Sequence, residues 1–316
     1  MPKYYLLPKR LVDRAPWIHT PVWMLEASVF YLFLGVARAL PFPVTVWLFS
    51  RVLGYLGYRN RKKQRVVRRN IRFVLPAAPE HEREHVVRQI FRSTGVAAAE
   101  LFLLGRLWRR RHRYIEFSVH PETMRAFEAR EAMVFATAHT GAWQLCNLIS
   151  REYGLPISTI YARETNPWLH RFFLGLRKQF GARMVPSAGG ARELVRELAA
   201  GHSVGAAFDT RLDQGEMVPF FGVPTPTNTM PGMLSVRGHK LIPIRTVRLP
   251  GHRYRVEVLA PLSPRNPEAG KREQVLDLTE QLNRVFEGWV IESPGEWLCM
   301  KRRWPKDAEP RARTDA

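Results

Sequence analysis

A histidine that ends an apolar run is the first place in this chain where acid–base chemistry could be held rigidly. Residues 132–138, Ala-Met-Val-Phe-Ala-Thr-Ala, are small or apolar, β-branched at two positions and too few for a buried helix, so they read as a buried strand. His139 stands where that strand ends, Gly141 permits a tight turn, and Trp143 to Glu152 is expected to open a helix. An imidazole at such a corner faces a cleft and is suited to taking a proton from a substrate; the alternative is a histidine that merely caps the sheet. Asp209 ends a second apolar run, Val204 to Phe208, and parallel strands bring such ends to one edge. It reads as a structural or substrate-orienting carboxylate, with Arg211 or Arg163 as its expected partner by charge. Near the C-terminus, Arg302 and Arg303 lie beside Trp297 and Trp304. Paired guanidiniums among indoles can grip a phosphate by fork contacts or brace a cleft; the alternative is a charged turn.

The elements that must position these residues alternate. After His139 come a strand over Pro156–Tyr161, an amphipathic helix over Trp168–Phe180, a helix over Ala191–Gly201, and the strand ending at Asp209. His239–Val247 and Tyr254–Leu259 read as two further strands, and Lys271–Ile291 as a long helix with Leu276, Leu278, Leu282, Val285 and Trp289 toward the core. That alternation predicts an α/β sandwich, with helices flanking a mostly parallel central sheet. Helices are expected over residues 60–108, followed by a basic knot from Trp108 to Tyr114 that is either a solvated turn or a phosphate contact.

The chain has 316 residues, with 49 Lys plus Arg against 28 Asp plus Glu, a net charge of +21. No zinc-finger spacing, RNA-binding aromatic block or glycine–arginine tract accompanies that charge, so nucleic acid is not the expected partner. An anionic membrane surface, phosphorylated lipids and an acidic carrier protein account for it. Cys146 and Cys299 are far apart in apolar surroundings and read as reduced core residues; no metal pattern and no cofactor motif is present. Val22 to Tyr58 is strongly apolar, but charges interrupt it and Pro41-Phe42-Pro43 breaks it. Its longest charge-free runs are 11 and 12 residues, short of the roughly 20 that span a bilayer. Basic clusters flank both ends, which a single span would not allow under the positive-inside rule. A helical hairpin dipping into one leaflet satisfies both flanks; two helices of a soluble core are the alternative. The organisation expected is a membrane-associated segment over 1–58, a catalytic domain over 59–306 and a disordered tail over 307–316.

Several of these stretches resemble the late acyltransferases of lipid A biosynthesis, the lauroyl and myristoyl transferases within the wider glycerolipid acyltransferase group. His139-Thr140-Gly141-Ala142-Trp143-Gln144 is similar to that family's His-x4-Asp/Glu block, typically His-x-Gly-Asn-Trp-Glu, and departs from it where Gln144 stands for the acid. Asp209, Gly215 and Val218-Pro219-Phe220-Phe221-Gly222 give the strongest match, with Thr210 where the family has glutamine. Pro294 to Trp304 resembles the closing motif, with Lys301 in place of histidine, and Tyr161-Ala162-Arg163 followed by Asn166-Pro167 resembles the segment after the histidine-bearing strand.

The resemblance implies an acyltransferase that moves a fatty acyl chain from acyl-carrier protein or acyl-CoA to a hydroxyl of an anionic membrane glycolipid such as a lipid A precursor. It implies the cytoplasmic face of a bacterial inner membrane as the site of action. His139 would be the base and Gln144 would orient the imidazole through its side-chain oxygen without supplying charge, with Glu164 or Asp209 able to supply that charge. Gly141, Trp143, Arg163, Asp209, Arg302 and Arg303 would contact substrate, Arg163 by gripping a phosphate or the carrier's phosphopantetheine. A different lysolipid or amino-lipid acceptor, or a non-catalytic lipid-binding relative, are the other readings.

Overall fold

A computed structural model describes residues 15–311 of the chain. Lys3, Lys9, Arg10 and Arg14 of the expected basic N-terminus lie outside the described residues, as do residues 312–316 of the tail.

Four helices come first: α1 (His19–Ala39), α2 (Phe42–Tyr58), α3 (Arg61–Val74) and α4 (Glu80–Phe102). The break between α1 and α2 falls at the predicted prolines. There the Thr45 hydroxyl donates to the Ala37 carbonyl at 2.8 Å, and Arg106 donates to the Leu40 and Arg38 carbonyls, a cation set against the helix C-terminus. The alternating part then runs β1 (Ile115–Val119), α5 (Pro121–Glu128), β2 (Val134–Thr137), β3 (Ile157–Tyr161), α6 (Pro167–Arg177), β4 (Arg183–Pro186), α7 (Gly190–Ala199) and β5 (Ser203–Ala207). A two-stranded antiparallel hairpin of β6 (Glu216–Phe220) and β7 (Val223–Thr227) stands apart, and β8 (Leu241–Leu249), β9 (Arg253–Val258) and α8 (Lys271–Glu292) complete the body.

The sheet has the order β1-β9-β8-β2-β5-β3-β4, parallel throughout except between β8 and β9. Because β2 alternates faces, Val134, Ala136 and Ala138 join a core with α3, α8 and the closing segment, whereas Met133 and Phe135 join a core with α2, α4 and β9. The predicted mostly parallel α/β sandwich is what forms.

The segment 1–58 is less separate than its composition suggests. Phe42, Val46 and Phe49 of α2 and Leu34 and Ala37 of α1 are buried in the same core as Phe102, Phe135 and Ile242. On α1, Glu26 is buried beside Asn166, whose Nδ2 donates to the Trp23 carbonyl at 2.9 Å, and Phe30 packs against Phe102, Phe172 and Phe173. The bend between the helices is thus held on the body. What remains outward is their flank, where Met24, Leu25, Val29, Leu32, Val36, Val44, Trp47, Tyr55 and Leu56 are exposed. At the other end, Arg69 donates to the carbonyls of Pro305, Lys306 and Ala308, and Arg311 to that of Gly222, so the described start of the expected disordered tail lies tied to the body.

Candidate active site

Register places the histidine and its partner. Thr137 on β2 is paired with Ala207 on β5, and His139 and Asp209 each lie two residues beyond that pair. Two parallel neighbours ending at one edge therefore bring the side chains together: His139 Nδ1 is 2.7 Å from Asp209 Oδ1. Asp209 is buried, whereas the His139 side chain keeps about a third of its surface, 32% against 3%. The other carboxylate oxygen, Oδ2, accepts from the Trp297 indole Nε1 at 2.9 Å. Trp297 is itself buried, and its segment is stitched to the histidine corner. Leu298 N–H donates to the His139 carbonyl, Gly141 N–H donates to the Glu296 carbonyl, and Thr140 bridges to Trp297.

The charges in this chain of three are mutually dependent. Burial alone would push the imidazole pKa down; the charge and hydrogen bond of Asp209 outweigh it and hold His139 above its ordinary value, with Lys301 opposing. Burial would likewise raise the Asp209 carboxyl, yet the imidazolium charge and the donors from His139 and Trp297 bring it below the usual range. Asp209 is thus ionised, and it fixes the Nδ1–H tautomer, leaving His139 Nε2 as the free basic nitrogen.

The partner of His139 is Asp209, one of the two residues expected to supply the charge that Gln144 lacks, while two other expectations are corrected. Gln144 was expected to orient the ring, but it sits on the short 3-10 turn Trp143–Leu148, half-buried in the wall of a cavity, while Asp209 holds the Nδ1 side. Asp209 was expected to pair with Arg211 or Arg163; instead Arg211 pairs with Asp213, and Arg163 is exposed on the loop after β3. Glu164 bonds Arg177 at 3.0 Å. It follows β3, which β5 separates from β2, and its carboxylate is taken up by Arg177.

The remaining predicted residues separate. Trp143 lies 5.3 Å from the His139 ring, centroid to centroid, and lines the cavity. Gly141 has φ +53°, and a Cβ there would come within 2.8 Å of the Glu296 carboxylate, so the turn accepts only glycine. Its N–H is already committed to the Glu296 carbonyl, and the helix expected over Trp143–Glu152 forms as a 3-10 turn, Trp143–Leu148, that runs into a short α-helix, Ile149–Glu152. Arg303 is 1% exposed: it donates to the Pro226 carbonyl and the Thr227 hydroxyl, and lies 4.6 Å over the Phe220 ring. Burial lowers its pKa to about 10. It braces the β6–β7 hairpin behind Asp209, while Arg302 is half-buried beside it. Both thiols are buried and pushed up by burial, Cys146 to about 11 and Cys299 to about 12.

Two residues play a part that the sequence reading did not assign. Trp297 was read only as packing for the arginines. Asn70, fully buried on α3, donates to the Cys299 and Lys301 carbonyls and accepts from Arg303 N–H, which fixes the segment carrying Trp297. A buried asparagine among arginines, followed 230 residues later by an aromatic and basic motif, was the available signal.

From His139 a cavity of about 510 Å³ runs down the sheet face that carries Phe135 and Thr137. Its floor is Gly205, Ala207, Ile157 and Thr159, and its far wall is Cys146, Ile149, Phe180 and Ile244. Lys301, exposed and standing where the resembling family has histidine, is at its mouth, and Gln144 and Thr210 line its wall. Such a volume is ordinary for a pocket that encloses a small-molecule ligand. Among the described residues no three His, Cys, Asp or Glu side chains could hold a metal ion.

A basic imidazole backed by a buried carboxylate, at the mouth of a mostly apolar cavity, fits acyl transfer, and comparison with known proteins agrees. A family model described as bacterial lipid A biosynthesis acyltransferase matches residues 16–306. The chain belongs to that family. It is also similar to a lipid A biosynthesis acyltransferase of Haemophilus influenzae, 23% identical over 308 residues that cover 91% of this chain and 90% of the relative. Within this acyltransferase, the residues drawn from both ends of the match, Asn70 and Trp297 to Trp304, converge on the His139 corner.

Proposed function

We propose that this acyltransferase moves a fatty acyl chain from acyl-carrier protein or acyl-CoA to a hydroxyl of a membrane glycolipid such as a lipid A precursor. The observation that carries the reading is the 2.7 Å contact of His139 with ionised Asp209 at the mouth of the 510 Å³ cavity. The acyl chain lies in the cavity with its thioester carbonyl at the mouth. His139 Nε2 removes the proton of the acceptor hydroxyl as its oxygen attacks the carbonyl carbon, and Asp209 stabilises the imidazolium formed. Collapse of the tetrahedral intermediate breaks the carbon–sulfur bond, and the imidazolium returns its proton to the departing thiolate. Asp209 supplies the charge that Gln144 lacks, which removes the sequence-based reason for a non-catalytic relative. Lys301, a cation at the mouth, suits an anionic acceptor or the phosphate of the carrier's prosthetic arm.

The exposed apolar flank of α1 and α2 is the face laid on the bilayer. One helix, His19–Ala39, is long and apolar enough to cross a membrane, but its attachment along the body through Glu26, Phe30 and Leu34 favours a monotopic arrangement. Basic residues at both ends of the segment and reduced thiols fit the cytoplasmic face.

Transfer from radiolabelled acyl-carrier protein and from acyl-CoA to a lipid A precursor, a lysophospholipid and an amino lipid tests donor and acceptor together. His139→Ala is expected to lower transfer by about 10²–10⁴-fold with the fold intact. Wild-type activity in that variant would end the mechanism, and preference for a lysophospholipid or amino lipid would replace the acceptor.

A further inference from the structure

The exposed apolar flank of α2 borders a groove of different chemistry. Between α2 and α4 lies an open groove of about 380 Å³, lined by Arg51, Gly54, Tyr55, Tyr58, Arg88 and Arg92. The helices meet closely because α2 offers glycine there: a Cβ on Gly54 would come 3.0 Å from the Arg92 backbone, and one on Gly57 3.0 Å from the Phe91 ring. Arg51 with Tyr55, and Arg88 with Arg92, are each one helical turn apart, so three guanidiniums and two phenol rings line one concavity.

Like charges at that spacing weaken a helix rather than support it, and little in the surroundings offsets them. The nearby carboxylate, Glu84, already accepts from the Tyr58 hydroxyl and from Arg68 Nε at 2.7 Å, and stands 3.8 Å from Arg88 Nε. Among the described residues, neither Arg51 nor Arg92 has a carboxylate in salt-bridge range. Two of the three cations lie against aromatic rings: Arg51 is 6.0 Å from the Trp47 ring centre and Arg88 5.5 Å from that of Tyr58. Guanidiniums of this kind match the geometry of phosphate oxygens. Trp47, Tyr55 and Leu56 are exposed on the same helix, so the groove opens at the rim of the apolar flank, the depth at which aromatic side chains and lipid headgroups meet. It shares no lining residue with the His139 cavity.

We propose that this groove binds the phosphate of an anionic bilayer phospholipid, as an anchoring site separate from the acyl-transfer site. It rests on the reading that the outer flank of α1 and α2 contacts the bilayer, and it sets the depth and tilt at which the catalytic mouth meets the membrane.

The test is flotation of the purified full-length protein with phosphatidylcholine vesicles and with vesicles that also contain phosphatidylglycerol. Arg51→Gln/Arg88→Gln/Arg92→Gln is compared with a control that removes the same charge elsewhere on the body, Arg125→Gln/Arg192→Gln/Arg253→Gln. Wild type is expected to prefer the anionic vesicles. The groove variant should lose roughly a hundredfold in affinity for them, about fivefold per basic residue near such a surface, and the control should lose far less. Arg51→Gln/Arg92→Gln, which leaves Arg88 beside Glu84, keeps the test open if the triple variant fails to fold. Equal losses in groove variant and control, or no loss in the groove variant, would overturn the site. Abolition of the preference by inorganic phosphate at constant ionic strength would reassign the groove to free phosphate and overturn the lipid proposal. Wild type that floats equally with both vesicles sinks the groove alone, whereas wild type that floats with neither sinks the membrane reading beneath it.

Discussion

Two ionic clusters lie on either side of Gly141, and they are built to opposite ends. In one, His139 meets buried Asp209 at 2.7 Å with the outer nitrogen of the ring left toward a cavity. In the other, Arg248 grips Glu100 with two nitrogens at 2.7 and 2.9 Å, donates to Ser93 at 2.7 Å, and lies 3.3 Å from Glu296. The second cluster is wholly satisfied, and the Arg248 guanidinium cannot release a proton near neutral pH. It clamps β8 to α4 and, through Glu296, holds the turn at Gly141. The first leaves one basic nitrogen unspent and uses a group that changes charge near neutrality. A buried charge pair becomes chemistry only where one member can give up its proton and reach solvent.

The His139–Asp209 pair also stabilises the fold in a different pH range from the one in which it works. His139 is raised, so its contribution is complete below its unfolded value of about 6.5 and is lost as pH rises through the raised folded value. Asp209 is lowered, so its contribution is present above about 3.9 and is lost as pH falls through the lowered folded value. The pair therefore supports the fold most between these limits. Catalysis needs the neutral imidazole and so rises as pH climbs through the raised histidine value.

The sharpest way to break the first cluster is Asp209→Asn. It removes the charge that counters desolvation, so the histidine pKa falls and the acid limb of the rate profile moves to lower pH. The rate should drop by about 10²–10⁴-fold, as the tautomer is no longer fixed and the imidazolium no longer stabilised. An unshifted acid limb would return Asp209 to a structural part.

Breaking the second cluster should read out as stability. Glu100→Gln leaves Arg248 buried with its main counter-charge gone, at a cost of about 3–5 kcal/mol. Urea or thermal unfolding measures the loss, and the acid limb in the molecules still folded should stay where it is. A moved limb would mean that the clamp reaches the imidazole.

Trp297→Phe sharpens the comparison from the side of the carboxylate. The ring still fills the core, but Asp209 Oδ2 loses its donor, at about 1–3 kcal/mol of stability. A less satisfied carboxylate draws the imidazole proton more strongly, so the acid limb should move up, opposite to Asp209→Asn. Movement of both limbs in one direction would contradict the three-membered chain.

Much of this architecture was legible in the sequence. The strand before His139, the strand ending at Asp209, the break at Pro41-Phe42-Pro43 and the long helix before the closing motif each had a local cause in apolar patterning or proline. Three things lacked one. β6 and β7 contain Pro219, Pro224 and Pro226, which argue against strands, and they pair only because a two-stranded hairpin can leave those positions unbonded. β1 follows a run of arginines that reads as a turn, and it is held by β9, more than 130 residues later. The His139–Asp209 contact needs β2 and β5 to be neighbours although β3 and β4 come between them in the chain, and strand order is long-range. Given that order, their equal two-residue offset from Thr137 and Ala207 is enough.

The smallest expected effect belongs to Gln144→Glu, which restores the acid of the resembling family's block. Were Gln144 the partner of His139, the added charge would raise activity markedly. Asp209 already occupies the Nδ1 side, while Gln144 faces the cavity from the short turn Trp143–Leu148. A second carboxylate there adds only a weak pull on the imidazole, so transfer should stay within about threefold of wild type, the scale of a change of about 0.5 kcal/mol. The acid limb should edge upward, because a nearby negative charge favours imidazolium. The decisive form is the double variant. Asp209→Asn/Gln144→Glu should be as slow as Asp209→Asn alone, since a carboxylate in the cavity wall does not replace one behind the ring. Recovery of transfer in the double variant would place residue 144 on the imidazole after all and would make the two carboxylate positions interchangeable.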